Sequence, residues 1–304
     1  MEVRVATVQM HVKENPQDNL DKALKFVDEA AQDRAKAICL PEYWLMGCPQ
    51  KNQTKAHWKS LAEEIQGPLV EKFCRKAKNH SMYIVLGSLV EKDGDRLYNT
   101  STLISPRGDV IGKVRKAHPE NASAKAEVDC QIAPGEADYP VFNTEIGNLS
   151  VMVDMDACAF EVPRILGLKG AEIIFWPVCW DQTLLEAIHT YANIAAIASS
   201  AFVVISAPVG SRATVEGTIE FAGGSGIVHV TPHSLETGWR VGYTASMPDF
   251  EEGVMTASVD LKAVGRRLDY IKGRYPYWRR PKSYGLITDA AANAARHGGV
   301  VEQL

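Results

Sequence analysis

Leu149-Ser-Val-Met-Val-Asp154-Met-Asp156-Ala-Cys158-Ala-Phe-Glu161 is soon followed by Leu166-Gly-Leu-Lys-Gly-Ala-Glu172-Ile-Ile-Phe-Trp-Pro177. Each stretch holds an apolar run of strand length, Leu149–Met155 and Ala171–Val178, without the polar alternation of a half-exposed strand. Such runs suit strands covered on both faces. The first run ends in acidic residues. A carboxylate there, Asp154, is paired with a cation, caps a helix, or is functional, because an isolated buried charge is too costly to keep.

Working outward, further strand-length runs occur at Val3–Met10, Ala37–Leu40, Met82–Val90, Tyr98–Ile104, Ala201–Val209, Ser225–Val230 and Gly253–Val259. Helical spacing appears at Asn19–Arg34, at Pro68–Asn79 with proline in the first turn, and in the Ala-rich Thr183–Ser200. Ser105-Pro-Arg-Gly-Asp109 and Glu91-Lys-Asp-Gly-Asp-Arg96 read as hairpin turns, so part of the sheet is antiparallel. Strands mixed with helices give an α/β class. No linker or repeat divides the chain. A single domain over 1–289 and a C-terminal tail over 290–304 are expected.

The 304 residues are 46% hydrophobic and 23% charged, enough to bury a large core. A formal net charge of −4 gives no reason to expect nucleic acid or an anionic membrane as partner. The longest apolar stretch, Ile194–Val209, is interrupted by Ser199, Ser200, Ser206 and Pro208, which argues against a transmembrane helix. The N-terminus alternates like a strand and lacks the apolar core of a signal peptide. Six cysteines (39, 48, 74, 130, 158 and 179) show neither CxxC nor zinc spacing and read as reduced thiols of a cytoplasmic protein. No metal and no cofactor is expected.

Other local signals are Leu40-Pro41-Glu42 at the end of a buried strand, Gly112-Lys-Val-Arg-Lys116-Ala-His118-Pro119, and Arg279-Arg-Pro281-Lys-Ser-Tyr284-Gly285. Taken singly, they read as a surface or capping Glu, a basic edge strand and a packed tail. Taken together and in order, with Val85-Leu-Gly87-Ser, Tyr98-Asn99-Thr-Ser, Pro134-Gly135-Glu and Gly223-Gly-Ser225, they resemble the nitrilase superfamily of carbon–nitrogen hydrolases from Val3 to about Thr288.

The resemblance implies a four-layer α-β-β-α sandwich, at least a dimer, and a Glu-Lys-Cys site. In that site the thiolate attacks an amide or nitrile carbon, Glu takes its proton, and Lys stabilises the developing charge. By position Glu42 matches the Glu and Lys116 the Lys. Glu127, with Glu120 as the alternative, matches a second Glu that orients the site. Aligning back from Leu-Lys-Gly-Ala-Glu172 without gaps places Asp154 on the Cys, and Cys158 lies four residues later. The polar residues usual on the following helix are replaced by Ala195 and Ala198, which favours natural divergence over an introduced Asp154.

A Glu42–Lys116–Asp154 cluster suits acid/base chemistry on a C–N bond of a small amide, nitrile or carbamoyl compound. The alternatives are an inactive family member that binds a small molecule or serves as a partner subunit, and an ordinary Cys hydrolase carrying an introduced Asp154. Trp44, His118, Met155, Trp180 and Asp181, at or just past strand ends, are candidates for binding a small, partly apolar ligand.

Overall fold

The computed structural model describes residues 1–122, 125–234, 238–265 and 281–288. The chain divides into two compact units, Met1–Val264 and Gly265–Leu304.

In the first unit the strands are β1 (Glu2–His11), β2 (Ala37–Cys39), β3 (Tyr83–Val85), β4 (Leu89–Asp93), β5 (Arg96–Ile104), β6 (Val110–Arg115), β7 (Asn121–Ala122), β8 (Lys125–Ala126), β9 (Ile132–Ala133), β10 (Val141–Thr144), β11 (Gly147–Val151), β12 (Ile173–Pro177), β13 (Phe202–Val209), β14 (Ser211–Thr214), β15 (Gly217–Glu220), β16 (Gly226–Ser234), β17 (Gly238–Ser246) and β18 (Gly253–Asp260). The helices are α1 (Pro16–Gln32), α2 (Lys55–Leu61), α3 (Pro68–His80), α4 (Glu161–Leu168) and α5 (Leu185–Ser199).

Among the described residues, fourteen strands form one continuous curled sheet whose main path is β10-β11-β12-β13-β1-β2-β3-β5-β4. The seam is β1. Its middle pairs in parallel with β2 (Val5↔Ala37), while its last residues pair in parallel with β13 (Gln9↔Ala207). Thr7 and Ser206 tie the two halves where they face each other: Thr7 Oγ1 donates to the Ile205 carbonyl and Ser206 Oγ to the carbonyls of Val8 and Cys39.

Helices cover the outer faces. Leu20, Phe26 and Val27 of α1 and Val70 and Phe73 of α3 pack on Val8, Ile38 and Ile84. Val162 and Leu166 of α4 and Ile188, Ala192 and Ala195 of α5 pack on Ile174, Trp176 and Val203. The result is the four-layer α-β-β-α sandwich. Both faces of each central strand are covered, which is why β12 and β13 are apolar at nearly every position.

Both turn signals form hairpins, with Ile104 opposite Val110 and Asp93 opposite Arg96. Two sequence expectations are corrected. Met82–Val90 is two strands, β3 and β4, because Gly87 adopts φ +55° where the chain passes against Leu40 and Pro41. The run Leu149–Met155 is a strand only to Val151, after which the chain turns into a 3₁₀ segment, Asp154–Ala157. In the second unit, Pro281–Ser283 forms a 3₁₀ turn and Gly285–Thr288 a helical turn. Arg279, Arg280, the boundary placed at 289 and the tail 290–304 lie outside the described residues.

Candidate active site

Three strand ends deliver the ionisable groups. After β2 the chain runs through Leu40-Pro41 to Glu42 and bends at Tyr43, φ +53°. Lys116 follows the last residue of β6. The period-2 alternation of a strand sends Arg115 the opposite way, into Glu91, Asp93 and Glu136, with its guanidinium 3.7 Å above the Tyr98 ring. Asp154 opens the 3₁₀ segment with φ +50°, a left-handed conformation that is costly for a non-glycine residue and turns its side chain sharply off the strand line. The indole of Trp176 on β12 anchors that bend by donating to the Asp154 carbonyl at 2.9 Å.

The side chains of Glu42, Lys116, Glu127 and Asp154 are all fully buried. Lys116 Nζ lies 2.5 Å from Asp154 Oδ2, 2.6 Å from Glu127 Oε2, 3.5 Å from Glu42 Oε1 and 3.7 Å from Glu120 Oε1. Both Glu127 and its alternative Glu120 therefore belong to the cluster. Glu127 is further held by the Tyr43 hydroxyl at 2.5 Å and by Asn99 Nδ2 at 2.9 Å, which also donates to Glu42 at 2.7 Å.

One member has no counterpart in the sequence reading. Lys125 of β8 is buried, and its ammonium lies 2.5 Å from Asp154 Oδ2, 2.6 Å from Glu120 Oε1 and 3.1 Å from Glu42 Oε2. Nothing local in Ala122-Ser-Ala-Lys125-Ala marks it; only the loop's course brings it in. Asn99 and Tyr43 were likewise visible only as motif neighbours.

The cluster therefore sets four carboxyl groups against two ammonium groups. Burial favours neutral forms and the ion pairs favour charged ones, so the groups part company. Burial would raise the Asp154 carboxyl, but Lys116 and Lys125 hold it far below the usual carboxylate range. Burial works against both ammonium groups, yet Asp154 and the glutamates keep them charged well past neutrality. Burial, reinforced by the Asp154 charge, pushes Glu42 well up and Glu120 up to about 7. Carboxylate oxygens of Glu120, Glu127 and Asp154 lie within 4.8 Å of one another, a spacing that suits a cation, but the Lys116 ammonium already stands among them.

Outside this cluster is a cavity of about 270 Å³ lined by Glu120, Lys125, Met155, Cys158, Trp180 and Asp181, among others. Of the clustered groups, only Glu120 and Lys125 reach its wall; Glu42, Lys116, Glu127 and Asp154 lie behind them. Cys158 does line the cavity, but burial and the Asp154 charge push its thiol up to about 12.

Of the ligand-binding candidates, Met155, Trp180 and Asp181 line the cavity. Trp44 does not: it is fully buried in the outer core, edge-on to Phe73, with its indole nitrogen donating to the Leu86 carbonyl. His118 is not on the wall either. It is half-exposed, and Asp156 holds its ring at 2.7 Å along with the amides of Ala117 and His118.

Known proteins share this arrangement of chain. The yeast Nit3 structure from Saccharomyces cerevisiae, described as a member of branch 10 of the nitrilase superfamily, superposes with a TM-score of 0.72 at 21% identity over 89% of this chain and 94% of that one. A carbon–nitrogen hydrolase from Helicobacter pylori gives 0.80 at 20% identity over 95% and 99%. In sequence, the Omega-amidase NIT2 of Danio rerio is 30% identical over 59% of this chain and 64% of its own length, so the match spans under two thirds of that relative. The citrullinase of Francisella tularensis is 32% identical over 58% of this chain and 60% of its own length. The carbon-nitrogen hydrolase family model matches residues 4–267, and the chain belongs to that family.

Proposed function

We propose that this chain acts on a C–N bond of a small amide, nitrile or carbamoyl compound by acid/base chemistry without a thiol nucleophile. The observation that carries this reading is the division of the cluster. Asp154, at the strand-end position, is clamped by two ammonium groups, while Glu120, poised to gain or lose a proton near neutrality, faces the cavity. With an amide or carbamoyl substrate, an ionised Glu120 takes a proton from water, the water oxygen bonds to the substrate carbon, and the proton passes to the departing nitrogen as the C–N bond breaks; a nitrile first takes up one water across its C≡N bond to become the amide. Glu42, Lys116, Glu127 and Asp154 act through Lys125 and Glu120 by fixing their charge and position. The names of two relatives, an amidase and a citrullinase, support the bond class.

The test is ammonia release from a panel of small amides, nitriles and carbamoyl compounds. Glu120→Gln is expected to lose about 10²–10⁴-fold in rate, the usual contribution of a general base, and Cys158→Ala to keep its activity. Activity lost in Cys158→Ala, or an acyl adduct on Cys158 in intact-mass spectra, overturns the reading.

A second reading, a family member that binds a small molecule without turning it over, is favoured by the full burial of Asp154 and its two 2.5 Å ion pairs. Binding without ammonia release from any compound would select it. We further propose that the protein works in the cytoplasm as a homo-oligomer of two or more chains. All six cysteines are free thiols, no helix among the described residues is long and apolar enough to cross a membrane, and Phe160, Leu168 and Ile197 are exposed on or beside the outer helices α4 and α5.

A further inference from the structure

The charged groups on the cavity wall are already answered within the protein. Lys125 has three ammonium protons and faces three carboxyl groups, Asp154, Glu120 and Glu42, within 3.1 Å. Glu120 in turn lies 2.6 Å from Lys125 and 3.7 Å from Lys116. Asp181 caps the 3₁₀ turn Gln182–Leu184, its Oδ1 accepting from the Thr183 amide at 3.0 Å and from the Thr183 hydroxyl. The uncharged polar groups are engaged as well. The Tyr191 hydroxyl donates to the Cys158 sulfur, and the Cys158 thiol donates to Met155 Sδ at 3.8 Å. A charged ligand group entering here gives up its water and meets only ions that already have partners, so the wall disfavours charge of either sign.

What the wall offers a ligand is apolar surface. Trp180 and Tyr191 stand edge to face with ring centroids 5.8 Å apart, and Tyr191 continues to Phe160 at 6.1 Å. Met155 and Ala187 belong to the same wall. So does Leu184, which is 37% exposed, an open leucine beside aromatic rings in a concave site. Such a surface gains by being covered with apolar area. The space, about 270 Å³, is that of about nine waters at roughly 30 Å³ each, which suits one ring or a short branched chain.

We propose that the substrate of this cavity is an uncharged amide with a single-ring or short branched apolar body, and that Trp180, Leu184 and Tyr191 select it against amides carrying a carboxylate or an ammonium next to the amide. Selection is by what the charge loses: the apolar body is covered by the rings and Leu184, whereas a charge in its place is stripped of water without a new partner. The inference rests on the reading that this cavity receives the substrate, and it names that substrate's class.

The experiment is a ligand-observed NMR titration of the purified chain at pH 6.5 with two pairs of nearly equal shape. In the first pair, 3-methylbutanamide carries an isopropyl group where malonamate carries a carboxylate. In the second, propanamide carries a methyl group where glycinamide carries an ammonium. The uncharged member of each pair is expected to bind at least tenfold more tightly. Leu184→Ala and Tyr191→Ala are expected to weaken 3-methylbutanamide about three- to tenfold, and Tyr191→Phe to keep it, because the ring and not the hydroxyl makes the contact. Leu184→Arg supplies an unengaged cation and is expected to raise malonamate affinity at least fivefold. Melting temperatures check that each variant is folded. Equal or tighter binding of malonamate or glycinamide, no binding of either uncharged amide, or unchanged affinity in both alanine variants overturns the inference. Binding as expected with no ammonia release from any amide would end the enzymatic reading and leave this one standing. Ammonia released faster from malonamate than from 3-methylbutanamide would overturn this inference and leave the enzymatic reading standing.

Discussion

Asp154 is the residue on which the site turns, because it accepts from both buried ammonium groups through one oxygen. Breaking a buried pair by removing one partner typically costs about 3–5 kcal/mol, because the other charge stays behind. Asp154→Asn is therefore expected to lower the melting temperature by roughly 6–15 °C in scanning calorimetry, at about 2–3 °C per kcal/mol for a chain of this size. An unchanged melting temperature would mean that the lysines are satisfied by the glutamates alone. The pH dependence of stability separates the carboxyl groups by sign. The Asp154 carboxyl is depressed in the folded chain, so its contribution is present above the unfolded value of 3.8 and is lost only in strong acid. Glu120 is raised from 4.5 to about 7, so its contribution is present below 4.5 and is lost as pH climbs to about 7. Wild type is thus expected to lose stability relative to Glu120→Gln between those values and to run parallel above them, in denaturant melts taken across the range.

At the scale of elements, the site depends on three strands stopping at the right residue. Gly87 lies against one of these stops, the end of β2: a Cβ there would sit 2.0 Å from the Pro41 carbonyl oxygen and 2.5 Å from that of Leu40, and φ +55° already disfavours a side chain. Gly87→Ala is expected to push away the Leu40-Pro41-Glu42 strand end. The expected signs are a destabilisation of several kcal/mol and a loss of cavity binding out of proportion to it, read by calorimetry on the fraction that remains folded. The strands themselves were legible because burial on both faces leaves a continuous apolar run, and the hairpins because Gly94 and Gly108 mark their turns. Glu42 and Asp154 were legible because each follows an apolar run, and Lys116 because its basic motif matches the family resemblance. Lys125 was not, because the two-residue strand β8 that carries it lies in a stretch whose composition says nothing about where it leads. Trp44 misled for the converse reason: proximity to a strand end in sequence does not settle which face a side chain takes, and its indole found a carbonyl in the outer core.

For the whole molecule, the sandwich leaves its two helical layers as outer surfaces, and they differ. Exposed large apolar side chains cluster about the α4–α5 layer: Phe160 is 54% exposed, Leu168 60% and Ile197 41%. In the α1–α3 layer the large apolar residues Leu20, Phe26, Val27, Leu69, Val70 and Phe73 are buried in the core. Single exposed apolar residues need no explanation, but several on or beside two packed helices mark a surface that gains by being covered. A stable contact between copies needs about 800 Å² from each partner, more than a few side chains supply, so the surrounding α4–α5 surface has to take part as well. The same two helices pack behind Trp176, the indole that fixes Asp154, so an interface here would stiffen the wall of the cavity from outside. Light scattering coupled to size exclusion is expected to give a mass at least twice the 33.3 kDa of one chain. The double variant Phe160→Glu with Ile197→Glu is expected to shift that mass toward a single chain while keeping the far-ultraviolet spectrum. A wild-type mass of one chain at micromolar concentration would rule out self-association through this face, and a double variant that stays oligomeric would place the interface on another surface.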